Sequence, residues 1–168
     1  MKTVISVCLF LTLAACAALC QTANDPKVDE LLKQAIQLDI DGDMDKAIEK
    51  YTEAIKLAPS NMDALLKRGI CFMKNENFDS AMEDFSTMIK IDPNSFDGYL
   101  NRGIAFDAKG SRSNAIKDYN KAIQIKPDSD ETYPYLGYTY MNLYDYDKAE
   151  EIFSRAIELK SDRAEYFY

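Results

Sequence analysis

The sequence predicts an all-α array of four helix-turn-helix repeats, and three observations carry that prediction. First, the chain matches itself at a shift of 34 residues without a gap. "LLKRGICFMKNENFDSAMEDFSTMIKIDPNS" from Leu65 is followed by "YLNRGIAFDAKGSRSNAIKDYNKAIQIKPDS" from Tyr99, and related stretches begin at Leu31 and Tyr133. Second, each unit holds two apolar patterns of helical period. In the second unit Ala81, Phe85, Met88 and Ile89 follow one another at steps of four, three and one. Third, Pro59, Pro93 and Pro127 close the first three units, and a proline cannot continue a helix. Ser161 takes that place in the fourth.

In chain order the first element is a leader, residues 1–20. Lys2 is its one charge, and no other charge appears until Asp25. A short basic start and an apolar run form the pattern of an export signal. "LAAC", Leu13 to Cys16, resembles a bacterial lipobox, which implies cleavage before Cys16 and acylation of that cysteine. A cut before Gln21 is the rival and would release a soluble secreted protein; an uncleaved anchor is the third reading. Each places the rest of the chain outside the cytoplasm, with the lipid-anchored form in the bacterial cell envelope, at the outer membrane or in the periplasm. Residues 21–27 read as a linker. Repeats follow over 28–61, 62–95, 96–129 and 130–163, and 164–168 reads as the truncated start of a fifth first helix.

Within each repeat, small and large residues recur at fixed places. The first helix carries Ala35, Gly69, Gly103 and Gly137, then Leu38, Phe72, Phe106 and Tyr140. The second carries Ala47, Ala81, Ala115 and Ala149, then Tyr51, Phe85, Tyr119 and Phe153, then Ala54, Met88, Ala122 and Ala156. This pattern resembles the tetratricopeptide repeat over essentially the whole chain after the leader. The resemblance implies an α-α superhelix, a solenoid of stacked helix pairs. The physics agrees: a small residue opposite an aromatic lets antiparallel helices approach, and stacked pairs bury the apolar face that one pair leaves open.

"DIDGDMD", Asp39 to Asp45, raises a calcium question. An EF-hand loop needs Gly at its sixth place and Glu at its twelfth. Counted from Asp39, Met44 and Lys50 stand there. The segment therefore reads as the turn inside the first repeat, with Gly42 at the helix C-terminus and Asp43 or Asp45 favouring the next helix by capping and charge. Arg68 and Arg102 admit two readings, ligand clamp or structural ion pair. Each has an Asp sixteen residues on, Asp84 and Asp118, whereas the repeats without the Arg have Lys50 and Ile152 there. Arg and Asp occur together or not at all, which favours ion pairs between the two helices.

The composition narrows function. With 20 Lys and Arg against 28 Asp and Glu the chain carries −8, a poor match to nucleic-acid phosphates. It has no His, so a Ser-His-Asp triad, a Cys-His pair and a His-based zinc site are excluded. No enzyme, metal or cofactor is expected. Of four Cys, only Cys71 lies in the repeats, where it reads as a small buried side chain; a Cys20–Cys71 bridge is the rival.

In proteins of the resembled family the first helix of each repeat lines a concave groove. At its first groove place stand Asp29, Asp63, Asp97 and Glu131, which also suit a helix start. The next hold Leu32, Leu66, Leu100 and Pro134, then Lys33, Lys67, Asn101 and Tyr135. Beyond them come Ile36, Ile70, Ile104 and Tyr138, then Asp39, Met73, Asp107 and Met141. Read functionally, this is an apolar floor with an acidic rim for a protein segment; read structurally, part of the row packs between neighbouring helices. The clamp with which some family members grip a peptide carboxylate has Leu32, Ile36, Asp97 and Asn101 at its places, with Lys33 and Lys67 nearby, and only Asn101 fits. The end is aromatic, Tyr166, Phe167 and Tyr168, and the last quarter is rich in Tyr. Two functions follow as expectations: a non-catalytic scaffold at the cell envelope that binds a partner segment in the groove, or a self-assembling structural protein that uses its aromatic end.

Overall fold

A computed structural model of the chain describes residues 25–165. Its described helices are α1 (Pro26–Ile40), α2 (Met44–Leu57), α3 (Met62–Lys74), α4 (Phe78–Ile91), α5 (Phe96–Ala108), α6 (Arg112–Ile125), α7 (Tyr133–Asn142) and α8 (Tyr146–Glu165). They form four helical hairpins in chain order, the all-α architecture that the 34-residue period predicts. The chain divides into two compact units, one ending at Ala64 and the other beginning at Leu65.

In the first unit, Asp25 caps α1 by accepting from the Lys27 N–H at 2.9 Å, and Pro26 opens the helix, where its missing N–H costs nothing. Val28 and Leu31 of α1 bury against Ala54 and Ala58 beside α2, with Leu32 alongside. Ala35, Ala47 and Tyr51 are fully buried.

All four hairpins turn in the same way. The residue after the C-cap takes a left-handed backbone, with φ +83° at Gly42, +57° at Glu76, +78° at Gly110 and +61° at Tyr144. The next N–H donates back to the carbonyl five residues earlier: Asp43 to Leu38 at 2.9 Å, Asn77 to Phe72 and Ser111 to Phe106 at 2.8 Å, Asp145 to Tyr140 at 3.0 Å. This is the Schellman closure, which satisfies carbonyls that the helix end leaves open. The Asp-rich turn is thus one of four equal turns. Its capping differs from expectation in one respect: Asp43 makes no side-chain cap, and its carboxylate accepts from Lys46 Nζ at 2.6 Å. Asp45 lies in the first turn of α2, where its charge is favourable.

In the second unit the small-against-aromatic contact is direct. A Cβ built at Gly103 would lie 2.7 Å from the Tyr119 ring, and one at Gly137 would lie 2.6 Å from the Phe153 ring. Only a residue without a side chain permits these approaches. The hairpins then share a core. Phe96 and Leu100 of α5 and Tyr119 and Ala122 of α6 are buried together with Leu136 of α7. Cys71 is fully buried, while Cys20 lies outside the described residues.

The last hairpin departs from the sequence expectation at both ends. Its first helix begins at Tyr133, three residues later than the repeat boundary at Asp130. Pro134 explains the shift: it disfavours helical backbone before it and lacks an N–H, so it fits only the first turn. Its second helix runs 20 residues. Where the other repeats have Pro, Ser161 lets α8 continue, so Ala164 and Glu165 extend this helix instead of opening a fifth first helix. Tyr166, Phe167 and Tyr168 lie outside the described residues, as do the leader, Cys16 and most of the linker.

Candidate interaction surface

The groove positions separate into several environments. Asp29, Asp63 and Asp97 sit in the first turns of α1, α3 and α5, and all three are exposed. That placement suits the helix start. Glu131 lies ahead of α7 altogether. Leu32, Ile36, Leu66, Lys67, Ile70, Met73 and Ile104 are half-buried, and Lys33 is exposed. Leu100 is a correction: at 7% exposure it belongs to the core shared by α5, α6 and α7, so it is not an open groove floor. Asn101 is half-buried and spends its amide on its own helix, donating to the Asp97 carbonyl at 2.8 Å. Asp107 accepts from the Thr139 hydroxyl at 3.1 Å, joining α5 to α7. Tyr135 stacks on Tyr119 with centroids 6.1 Å apart.

The two arginines are structural. Arg68 donates to Asp84 from Nε at 2.9 Å and Nη2 at 2.6 Å. Arg102 donates to Asp118 from Nε at 2.7 Å and Nη2 at 2.9 Å, and its Nη1 reaches Ser86 Oγ of the preceding hairpin at 3.1 Å. Asp84 and Asp118 are buried. Burial pushes the Asp84 carboxyl above the usual carboxylate range, against the pull of Arg68. The Asp118 bond holds Arg102 charged. Burial also raises the Tyr119 hydroxyl, with the Asp107 charge adding to it.

An open apolar surface on the last hairpin is only half legible in the sequence. Tyr138 and Met141 of α7 were candidates. Ile157 of α8 lies outside the first-helix positions from which the groove candidates are drawn. Tyr138 is 60% exposed and Ile157 68%. With Pro134, Phe153, Ala156 and Lys160 they line an open groove of about 550 Å³. Tyr138 meets the Phe153 ring edge-on at 5.3 Å. Tyr144, Tyr146 and Leu143 continue the exposed apolar surface around the turn between α7 and α8. Among the described residues no group of three His, Cys, Asp or Glu is placed to hold a metal ion, and no helix is long and apolar enough to cross a membrane.

The fold and these surfaces define a helical-repeat protein of the kind that binds other proteins. Three tetratricopeptide-repeat models match the chain, over residues 32–96, 108–143 and 136–163. The chain belongs to the tetratricopeptide-repeat proteins, whose fold is generically a protein-protein interaction module. A comparison with curated proteins finds no match. Among solved structures, "Crystal structure of MamA" is 26% identical with a TM-score of 0.77, covering 84% of this chain and 83% of that one. MamA 41-end from Desulfovibrio magneticus RS-1 is 22% identical with a TM-score of 0.75, covering 80% and 76%. The first TPR of Spaghetti (RPAP3), bound to the HSP90 peptide SRMEEVD, is 22% identical with a TM-score of 0.68, covering 72% and 96%. These likenesses are of fold.

Proposed function

We propose that this chain is a non-catalytic scaffold that associates with itself through the aromatic last hairpin. The carrying observation is where apolar surface remains open. Most of the large hydrophobic side chains exposed among the described residues fall between Tyr135 and Ile157. Tyr138, Met141 and Ile157 among them line one groove, and a grouped patch of this kind, rather than scattered single residues, marks an interaction site. The leader sequence supports placing this scaffold in the cell envelope, tethered through Cys16. Two differently tagged copies, expressed together and cross-linked in the native envelope, test the reading. Each tag is expected to recover the other. Recovery is expected to survive Ile70→Glu with Ile104→Glu and to be lost in Tyr138→Glu. Recovery of neither tag by the other would defeat the reading. Intact mass tests the tether separately: a lipid-free chain starting at Gln21 would refute acylation of Cys16.

A second reading is that the groove of the first helices takes a partner segment. A structure of similar fold bound to a peptide supports it. The half-buried Ile70 and Ile104 of the second unit supply apolar positions for such a segment. Of the peptide-carboxylate clamp only Asn101 fits, so the segment would be held by apolar anchors, with Lys or Arg facing the exposed Asp97. Loss of a cross-linked partner in Ile70→Glu with Ile104→Glu, and not in Tyr138→Glu, would favour this reading over the first.

A further inference from the structure

We infer that the open face of the last hairpin docks the same face of a second copy, giving a closed two-fold pair and not a head-to-tail fibre. This rests on the self-associating reading above and adds its geometry. The repeat itself shows what such a face accommodates. One repeat earlier, Tyr138, Phe153, Ala156 and Ile157 correspond to Ile104, Tyr119, Ala122 and Ile123. Those four are covered by α7: Leu136 enters their core, Tyr135 stacks on Tyr119, and Tyr133 packs by Ile123. The last hairpin has the same apolar face, and among the described residues no further helix covers it.

A fibre would cover it with α1 of the next copy, since α1 is the first helix of the first repeat. Register argues against that. Of the α7 residues that face the preceding hairpin, Tyr133 corresponds to Leu31 of α1, which is already buried within its own hairpin, while Tyr135, Leu136 and Thr139 correspond one repeat earlier to Asn101, Arg102 and Ala105. In α1 these last three places hold Lys33, Gln34 and Gln37, all exposed. Gln34 donates to Glu30 and Gln37 to Asp41, each at 2.9 Å along the helix. Seating this side of α1 on Tyr138 and Ile157 would strip water from polar groups with no partners on the other side. Among the described residues lining it, the groove of the last hairpin carries one charge, Lys160, among apolar groups, so a second copy of the same face complements it. A surface that is its own complement makes an isologous contact, which closes at two copies.

Sedimentation velocity on the full mature chain over a wide concentration range tests this. The mass is expected to plateau at twice the monomer. Ile157→Glu and, from the other helix, Tyr138→Glu are each expected to leave monomers, with helicity by circular dichroism unchanged. Gln34→Glu with Gln37→Glu is expected to leave the pair intact. A series growing past two copies, or a pair lost through the α1 changes, would overturn the two-fold geometry while self-association stood. A pair that persists in both Ile157→Glu and Tyr138→Glu would overturn this face as the contact. A wild-type chain that stays monomeric throughout would defeat the underlying reading as well.

Discussion

Arg102 grips Asp118 with two nitrogens, at 2.7 and 2.9 Å, and spends a third on Ser86 of the hairpin before. One side chain thus ties the two helices of its own repeat and the repeat to its neighbour. Asp118 is buried and Arg102 largely so. Removing either partner strands a charge. Arg102→Ala is expected to cost about 3–5 kcal/mol. The double change Arg102→Ala with Asp118→Ala should cost less than the two single losses added, by about 1–3 kcal/mol. Chemical denaturation of the four chains measures the difference, and additive losses would refute the pairing.

Gly103 is set by the Tyr119 ring. A Cβ there would lie 2.7 Å from it, so the ring or the helix must shift. Gly103→Val is expected to destabilise the array by about 1–3 kcal/mol, seen as a fall in Tm. An unchanged Tm would mean that the helices part freely at this contact.

Glu76 occupies a left-handed position that Gly42 and Gly110 hold in two of the other hairpins. A side chain there costs about 1–2 kcal/mol against glycine, part of which glycine returns through its freer unfolded chain. Glu76→Gly is therefore expected to stabilise by up to about 1 kcal/mol, and Gly110→Ala to destabilise. Thermal melts of both variants check the pair of signs. A lower Tm in Glu76→Gly would show that its side chain contributes more than its backbone costs.

Two copies of this acidic chain, −8 over its full length, repel one another. If the contact is apolar, salt screens the repulsion without weakening the contact. Self-association should tighten between low and moderate salt. Dissociation by salt would point to ion pairs in place of Tyr138 and Ile157.

The fold was legible because its determinants are local and repeat every 34 residues. Gly103, Tyr119, Arg102 and Asp118 each announce a partner at a fixed distance along the chain. The left-handed turn was legible at Gly42 but not at Tyr144, where no residue type signals it. Pro134 is visible in the sequence, but where the helix starts around it depends on the fold of the residues before it. The continued α8 depended on the absence of a proline at Ser161, a weaker signal than its presence. The interaction surface was harder to read. Leu100 has the following helix α7 packed over it, while among the described residues Tyr138 has no such cover. Exposure depends on which neighbour packs on a face, and periodicity alone does not report that.

Amide hydrogen exchange at low and high protein concentration tests the central claim most directly, because it reports each helix separately. Association through the last hairpin predicts slower exchange at high concentration in α7 and the exposed side of α8, with α1 and α2 unchanged. Equal rates at both concentrations, or protection confined to α1, α3 and α5, would contradict it.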